Sequence, residues 1–296
     1  MKILFIHQNF PAQFKFLAPA LVNKGYQISC FTLNKTIQNK IEGVNYFLGE
    51  INRSSSTTIH PWLADLETKT IRGDAYLRLA YQLFKQGYCP DLIVAHPGWG
   101  ESLFLKEVWP SSKLAIYCEF FYNCKGYDVG FDPEFRNRIV GAIPSEMESL
   151  EFFSDVIDSC RLQFKNVNNN LHMSKADFAL SPTKWQASSF PKDFQKKITI
   201  IHDGIDTQTL IPNPSVELIV NSSLKLTKNN EVVTFVNRDL EPYRGYHSFM
   251  RSLPKLLKKR PNLIVLIVGG NSTSYGSKPP KGKTWKDIFA NEIKSK

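Results

Sequence analysis

The sequence predicts an α/β protein: a complete first Rossmann-like domain, residues 1–210, followed by an incomplete second one over residues 231–296. Three observations carry this. Short continuous apolar runs of strand length recur along the chain, as at Lys2–His7 and Asp91–Ala95. Segments with helical patterning lie between them, which is the mark of a parallel sheet covered on both faces. After a Pro- and Asn-rich stretch the same alternation starts again.

Taken in order, Lys2–His7 reads as a strand and Gln13–Lys24 as a helix stopped by Gly25. Gln27–Thr32 is the next strand, and Ala75–Gln86 a helix ending on Gly87. Strand Asp91–Ala95, helix Glu101–Val108 and strand Leu114–Glu119 follow, then a mostly helical stretch over 144–174. Ala176–Ser181 and Ile198–His202 bracket a helix start at Ser181-Pro182-Thr183-Lys184-Trp185. Right-handed crossovers make this a doubly wound domain, whose ligands bind beyond the carboxyl ends of the strands. From Thr207 to Asn230 the composition shifts, through Pro212, Asn213 and Pro214 to Lys228-Asn229-Asn230, so residues 211–230 read as a linker. Strand Val232–Val236, helix Tyr246–Lys259 and strand Leu263–Val268 then begin the second unit. Two or three strands cannot bury both faces of a parallel sheet, so this domain is expected to be partial.

Composition is that of a globular protein, 42% hydrophobic and 22% charged over 296 residues. The first residues carry no leader-type apolar region with a cleavage site, and no run approaches a membrane span. The five cysteines lack metal-ligand or redox spacing, so they read as reduced cytosolic thiols. The net charge of +10 is concentrated late, at Lys255, Lys258, Lys259 and Arg260 and from Lys278 onward. No nucleic-acid-binding motif accompanies it, so a solvated helix face is expected, with weak attraction to the inner membrane surface as the next reading. The chain is expected in the cytoplasm, without metal or resident cofactor.

The loops after the strands carry the candidate chemistry. His7-Gln8-Asn9-Phe10-Pro11 either binds a sugar or phosphate, or is a turn in which Asn9 caps the helix. In His96-Pro97-Gly98-Trp99-Gly100-Glu101 the two glycines allow close backbone approach. There His96 is either a group for a sugar hydroxyl or a general acid, or a turn histidine beside a packing tryptophan. Arg238 and Arg244, six apart with Gly245 opening a helix, either clamp a diphosphate or pair with Asp239 and Glu241. Asp203-Gly204 reads as a turn, and Gly269-Gly270 closes a strand where a nucleotide would lie.

Together these loops resemble the GT-B glycosyltransferases of family 4. The similarity runs through His7–Pro11, His96–Glu101, Glu119–Tyr122, Gly130–Phe135, Ser181–Phe190, Ile201–Asp206, Arg238–Gly245 and Ile267–Gly270. It implies an acceptor-side first domain, with His7, Asn9, Gly98, Gly100 and Glu119 in its loops and His96 near the transferring sugar. The second domain would hold a nucleotide-diphosphate sugar, a substrate and not a cofactor, on Arg238, Arg244, Gly245, Gly269 and Gly270. The implied reaction is retaining transfer to a glycan, lipid or protein, with Arg238 and Arg244 stabilising the departing diphosphate. Two departures stand out. Ala12 occupies a position where the family usually has glycine, and the family's pair of donor-binding glutamates, eight apart, is not found up to Lys296. A transferase impaired on its own is therefore expected. The alternative is a non-catalytic binding module; a sugar-nucleotide 2-epimerase, which shares the fold, fits the loops less well.

Overall fold

The computed structural model describes residues 1–34, 40–123, 127, 129, 131–135, 151–222 and 224–294, and for residues 151–156 the backbone alone. Cys124, Gly130 and the expected helical residues 144–150 lie outside the described residues. The chain divides into two compact units: Met1–Asp128 with Ile139–Gly204, and Val129–Arg138 with Ile205–Lys296.

The first unit runs β1 (Lys2–Ile6), α1 (Leu17–Asn23), β2 (Gln27–Thr32), β3 (Val44–Leu48), α2 (Ala64–Lys85) and β4 (Leu92–Ala95). It continues through α3 (Leu105–Val108), β5 (Lys113–Tyr117), α4 (Glu151–Lys175), β6 (Phe178–Ser181), α5 (Lys184–Ser188), α6 (Lys192–Gln195) and β7 (Ile198–Ile200). The seven strands form one parallel sheet in the order β3-β2-β1-β4-β5-β6-β7. Side chains alternate across it, as the period of two requires. Leu4 and Ile6 face a core with Tyr76, Ala80 and Trp109, while Ile3 and Phe5 face another with Phe14 and Ala18. The strand order reverses between β1 and β4, and crevices in such sheets open at the carboxyl ends of the strands flanking that reversal.

Several elements depart from the sequence reading, among them the helix expected over Glu101–Val108, which begins only at Leu105 after a turn. The first helix is split into a 3₁₀ turn at Ala12–Phe14 and α1. Pro19 accounts for this, since a residue without an N–H fits the first helical turn but not an interior. Helix α2 begins eleven residues earlier than the pattern predicts, at Ala64 rather than Ala75. Gly73 and two threonines make that half a poor helix former on propensity, yet packing requires the glycine. A Cβ there would stand 2.9 Å from the Gly100 carbonyl and the Phe104 ring. Strand β3, on the sheet edge, is absent from the sequence reading although four of its five residues are apolar or aromatic.

In the second unit, β8 (Leu218–Asn221) and β9 (Leu224–Leu226) form an antiparallel hairpin within the polar stretch read as a linker. β10 (Val232–Asp239) and β11 (Ile264–Gly270) pair in parallel, joined by α7 (Tyr246–Lys259), and α8 (Trp285–Lys294) follows. Tyr246, Met250 and Leu253 of α7 recur at helical spacing and pack with Phe235, Val265, Ile267 and Phe289. Lys255, Lys258 and Lys259 are exposed on the other side, the solvated face expected for them. Residues 131–135, distant in sequence, join this unit. The Phe135 ring lies 4.8 Å from His247 and 5.4 Å from Trp285. Arg251 donates to both oxygens of Glu134 at 2.6 and 2.7 Å, a bidentate pair.

Candidate functional site

Strands β1, β4 and β5 lie side by side and end on His7, His96 and, two residues further, Glu119. His96 caps the turn Pro97–Trp99: its Nδ1 accepts the Gly98 N–H at 3.1 Å. The neutral ring therefore carries its proton on Nε2, which donates to Glu119 Oε2 at 2.8 Å. This bond holds the Glu119 carboxyl below its ordinary range. Gly98 is required here because a Cβ would lie 2.8 Å from the His96 ring. Gly100 adopts φ +88 and presses against α2, where a Cβ would fall 2.4 Å from the Lys69 carbonyl.

His7 is held the same way, its Nδ1 accepting the Asn9 N–H at 2.9 Å. So the histidine caps the turn, where the sequence offered Asn9 for that task. Its ring lies 5.2 Å from His96 and 4.8 Å from Trp99. Burial, then the neighbouring His96, lowers the His7 pKa to about 4, with Gln13 and Glu119 acting oppositely. His7 is thus neutral near pH 7. His96 also lies 4.8 Å from Trp99 and stacks on Tyr117 at 5.5 Å. The Tyr117 hydroxyl donates to Asp203 at 2.9 Å, so the Asp-Gly turn after β7 reaches this cluster. Arg72 of α2 joins the loops after β1 and β4, donating to the Gln8 side chain and, at 3.2 Å, to the fully buried Glu101.

Sequence reasoning missed what fixes these loops: the polar face of α4. Asn168 donates to the Pro97 carbonyl at 2.6 Å and Asn169 to the Phe120 carbonyl at 3.1 Å. Asn166 accepts from Tyr122 N at 3.0 Å and donates to Tyr122 O at 2.8 Å. His172 Nε2 accepts from the Ser102 hydroxyl at 2.7 Å. Burial lowers the His172 pKa to about 4. The Asn-rich run at 166–169 was the available signal: buried amides on one helix must find partners, and loop carbonyls are what remain.

In the second unit, Arg238 is exposed where the β10–β11 register slips between Val236 and Asp239. Asp239 accepts from the Ser274 hydroxyl rather than from an arginine. Arg244 lies 3.4 Å, through Nε, from the fully buried Glu241, so the expected pairing holds for this arginine. Its guanidinium carbon stands 5.4 Å from the centre of the Tyr275 ring. The other Glu241 oxygen accepts from the backbone N–H groups of Ser274 at 2.7 Å and Tyr275 at 3.1 Å. Gly245, at φ +76, ends the turn Pro242–Arg244 and opens α7. Gly269 and Gly270 make room for the end of β10. A Cβ on Gly269 would meet Leu240 at 2.8 Å, and one on Gly270 the Asp239 carboxylate at 2.6 Å. Among the described residues no group of three or more His, Cys, Asp or Glu side chains could hold a metal ion, and no helix is long and apolar enough to cross a membrane.

The profile of the glycosyl transferase family 4 group matches residues 25–156 and 146–210. No curated protein matches the chain. Among solved structures, the catalytic domain of starch synthase IV from Arabidopsis thaliana, bound to ADP and acarbose, is similar at 13% identity and TM-score 0.52. That match covers 99% of this chain and 70% of the other, and the likeness is one of fold, of GT-B type. A UDP complex of MnaA from S. aureus matches at 14% identity and TM-score 0.47, covering 99% of this chain and 65% of that one. A protein assigned as a UDP-N-acetylglucosamine 2-epimerase, from Listeria monocytogenes, matches at 10% identity and TM-score 0.43, covering 90% of this chain. This chain spans 62% of the Listeria protein, so it falls short of two-thirds of the length of either.

Proposed function

The chain belongs to the glycosyl transferase family 4 group, and on that premise we propose that it takes part in retaining transfer of a sugar from a nucleotide-diphosphate donor. Residues 1–210 serve the acceptor, a glycan, lipid or protein, and residues 231–296 serve the donor. Residues 211–230 join the two. The observation that carries the reading is Arg244. It stands in the turn after a parallel strand, in an ion pair with Glu241 at 3.4 Å in which Nε makes no hydrogen bond, and among the described residues its two terminal nitrogens have no hydrogen-bond partner either. Such a planar fork matches two phosphate oxygens and stays charged at any physiological pH.

In this reading Arg244, with exposed Arg238, meets the negative charge that grows on the diphosphate as the bond to the sugar breaks. Gly245 lets α7 begin beside it, and Gly269 and Gly270 keep the strand ends close enough for a nucleotide to approach the backbone. His96 stands near the sugar with both ring nitrogens engaged, by the Gly98 N–H and the Glu119 carboxylate, and reaches a sugar hydroxyl by exchanging its Nε2–H bond to Glu119, while His7, Asn9 and Gly100 shape the same loops. The reaction is placed in the cytoplasm, with the lysine face of α7 drawn weakly to an anionic membrane surface.

Calorimetric titration of the purified chain with UDP and GDP tests the donor reading. Saturable binding to one of them is expected, with affinity lowered at least about tenfold in Arg244→Ala, as for loss of a charge-assisted bidentate contact. Binding that Arg244→Ala leaves unchanged, or no binding by a cooperatively folded chain, would overturn it.

A further inference from the structure

The loop after β11 does more than close a strand. Its residues Ser274 and Tyr275 present their backbone N–H groups to one oxygen of Glu241, at 2.7 and 3.1 Å. The other oxygen of the same carboxylate faces Arg244. Glu241 is fully buried, with two N–H donors on one oxygen and the Arg244 ion pair, at 3.4 Å, on the other. The loop is pinned a second time where the Ser274 hydroxyl donates to Asp239. Tyr275 is nevertheless half-exposed, stacked on Tyr243 at 5.4 Å with planes inclined by 28°. Tyr243 is braced in turn by the edge of Phe131, also at 5.4 Å. An exposed aromatic ring held by this many fixed neighbours, with a guanidinium at cation–π distance, is a platform.

We infer that Tyr275 is a positioning residue for Arg244. Its ring and the Glu241 carboxylate hold the guanidinium in one orientation, with the terminal nitrogens turned to the donor diphosphate. Ordering an arginine costs rotamer freedom, and a side chain already ordered binds an anion more tightly for the same contacts. The inference rests on the donor reading above, and it differs from it in what must change. Without the ring, Arg244 keeps its charge and loses its direction.

The test compares Tyr275→Leu and Tyr275→Phe in the full chain, titrated with UDP and with uridine. Tyr275→Leu is expected to weaken UDP binding about five- to tenfold, the range of one cation–π and ordering contribution, with uridine affinity unchanged. Tyr275→Phe, which keeps the ring face, is expected to stay within about twofold of the parent. Equal losses for UDP and uridine, or full UDP affinity in Tyr275→Leu alongside a loss in Arg244→Ala, would overturn the inference while sparing the donor reading. If Arg244→Ala binds UDP normally, the donor reading itself falls. A second readout needs no ligand. The Arg244 Nε–H resonance, assigned by its absence in Arg244→Lys, should shift in Tyr275→Leu and hold in Tyr275→Phe. A resonance unmoved by Tyr275→Leu would overturn the platform.

Discussion

The two units each end their strands in loops that carry polar groups, yet they treat those groups in opposite ways. In the first, His7 and His96 are buried against Trp99 and Tyr117, and each has its Nδ1 occupied by a backbone N–H. In the second, Arg238 is exposed and the Arg244 side chain, 27% exposed, is partly open to water. The difference is what chemistry would ask of each. A neutral imidazole is a directional donor whose tautomer must be fixed by its neighbours, which demands burial. A guanidinium that meets a phosphate must keep its charge, and burying it would impose a desolvation cost. The first region encloses its two histidines, and the second flanks Arg244 with Glu241 and Tyr275 and leaves Arg238 exposed.

Acid should separate the two most strongly. His7 and His172 have pKa values lowered to about 4 from an ordinary 6.5, burial being the main cause. The unfolded chain therefore takes up their protons first as pH falls. Their neutral forms favour the fold fully above pH 6.5, and that stability is lost progressively down to about pH 4. The expected slope is about 1.4 kcal/mol per pH unit for each histidine. The Glu134 carboxyl of the second unit has a pKa lowered by its bonds to Arg251, so its contribution is present above the ordinary 4.5 and lost only in stronger acid. Urea unfolding from pH 7 to 5, followed by hydrogen exchange, should show β1 and β4 losing protection before β10 and β11. His172→Gln should flatten the first unit's slope by the share of one histidine. A slope the same in both variants would remove His172 from the account.

A smaller effect should come from loosening the loop attachment. Asn168 is 1% exposed and is one of two donors to the Pro97 carbonyl, the other being the Gly100 N–H at 3.2 Å. Asn168→Ala removes the side-chain donor and leaves the backbone one, at a cost of about 1 kcal/mol. Exchange should quicken in residues 97–103 while β11 stays protected. Uniform quickening in both units would mean that α4 does not hold this loop in particular.

How much of this was legible in the sequence divides along the same line. The strands of the parallel sheet stood out because continuous apolar runs are what a doubly covered sheet needs, and β1, β2 and β4 matched the expected runs to within a residue or two at their ends. Helix α7 was readable to its ends because Tyr246, Met250 and Leu253 recur at helical spacing on a polar background. The first half of α2 was not, since Gly73 is explained by Gly100, distant in the chain. The candidate site was legible as loops but not as contacts. His96, Gly98 and Arg244 could be picked out by their place after strands. Tyr117, Asp203, Asn168 and Tyr275 could not, because each matters through a partner some tens of residues away, which no local pattern encodes.

Ala12 offers the finest version of the comparison, because it is the residue of the first loop that departs from the glycine usual in the family. It stands where glycine is usual, and it adopts φ 38, a conformation L side chains rarely take. Gly100 and Gly245 meet the same demand, at φ 88 and 76, with the residue type that suits it. A left-handed alanine costs about 1–2 kcal/mol, and a glycine gives back roughly 0.5–1 through its freer unfolded chain. Ala12→Gly is therefore expected to raise stability by about 0.5 kcal/mol, seen as a higher urea midpoint with an unchanged slope. The gain should appear in β1 and its neighbours and not in the second unit. A lower midpoint would mean that the Ala12 methyl packs well enough to outweigh its backbone strain, and the first loop would then be built on alanine by preference.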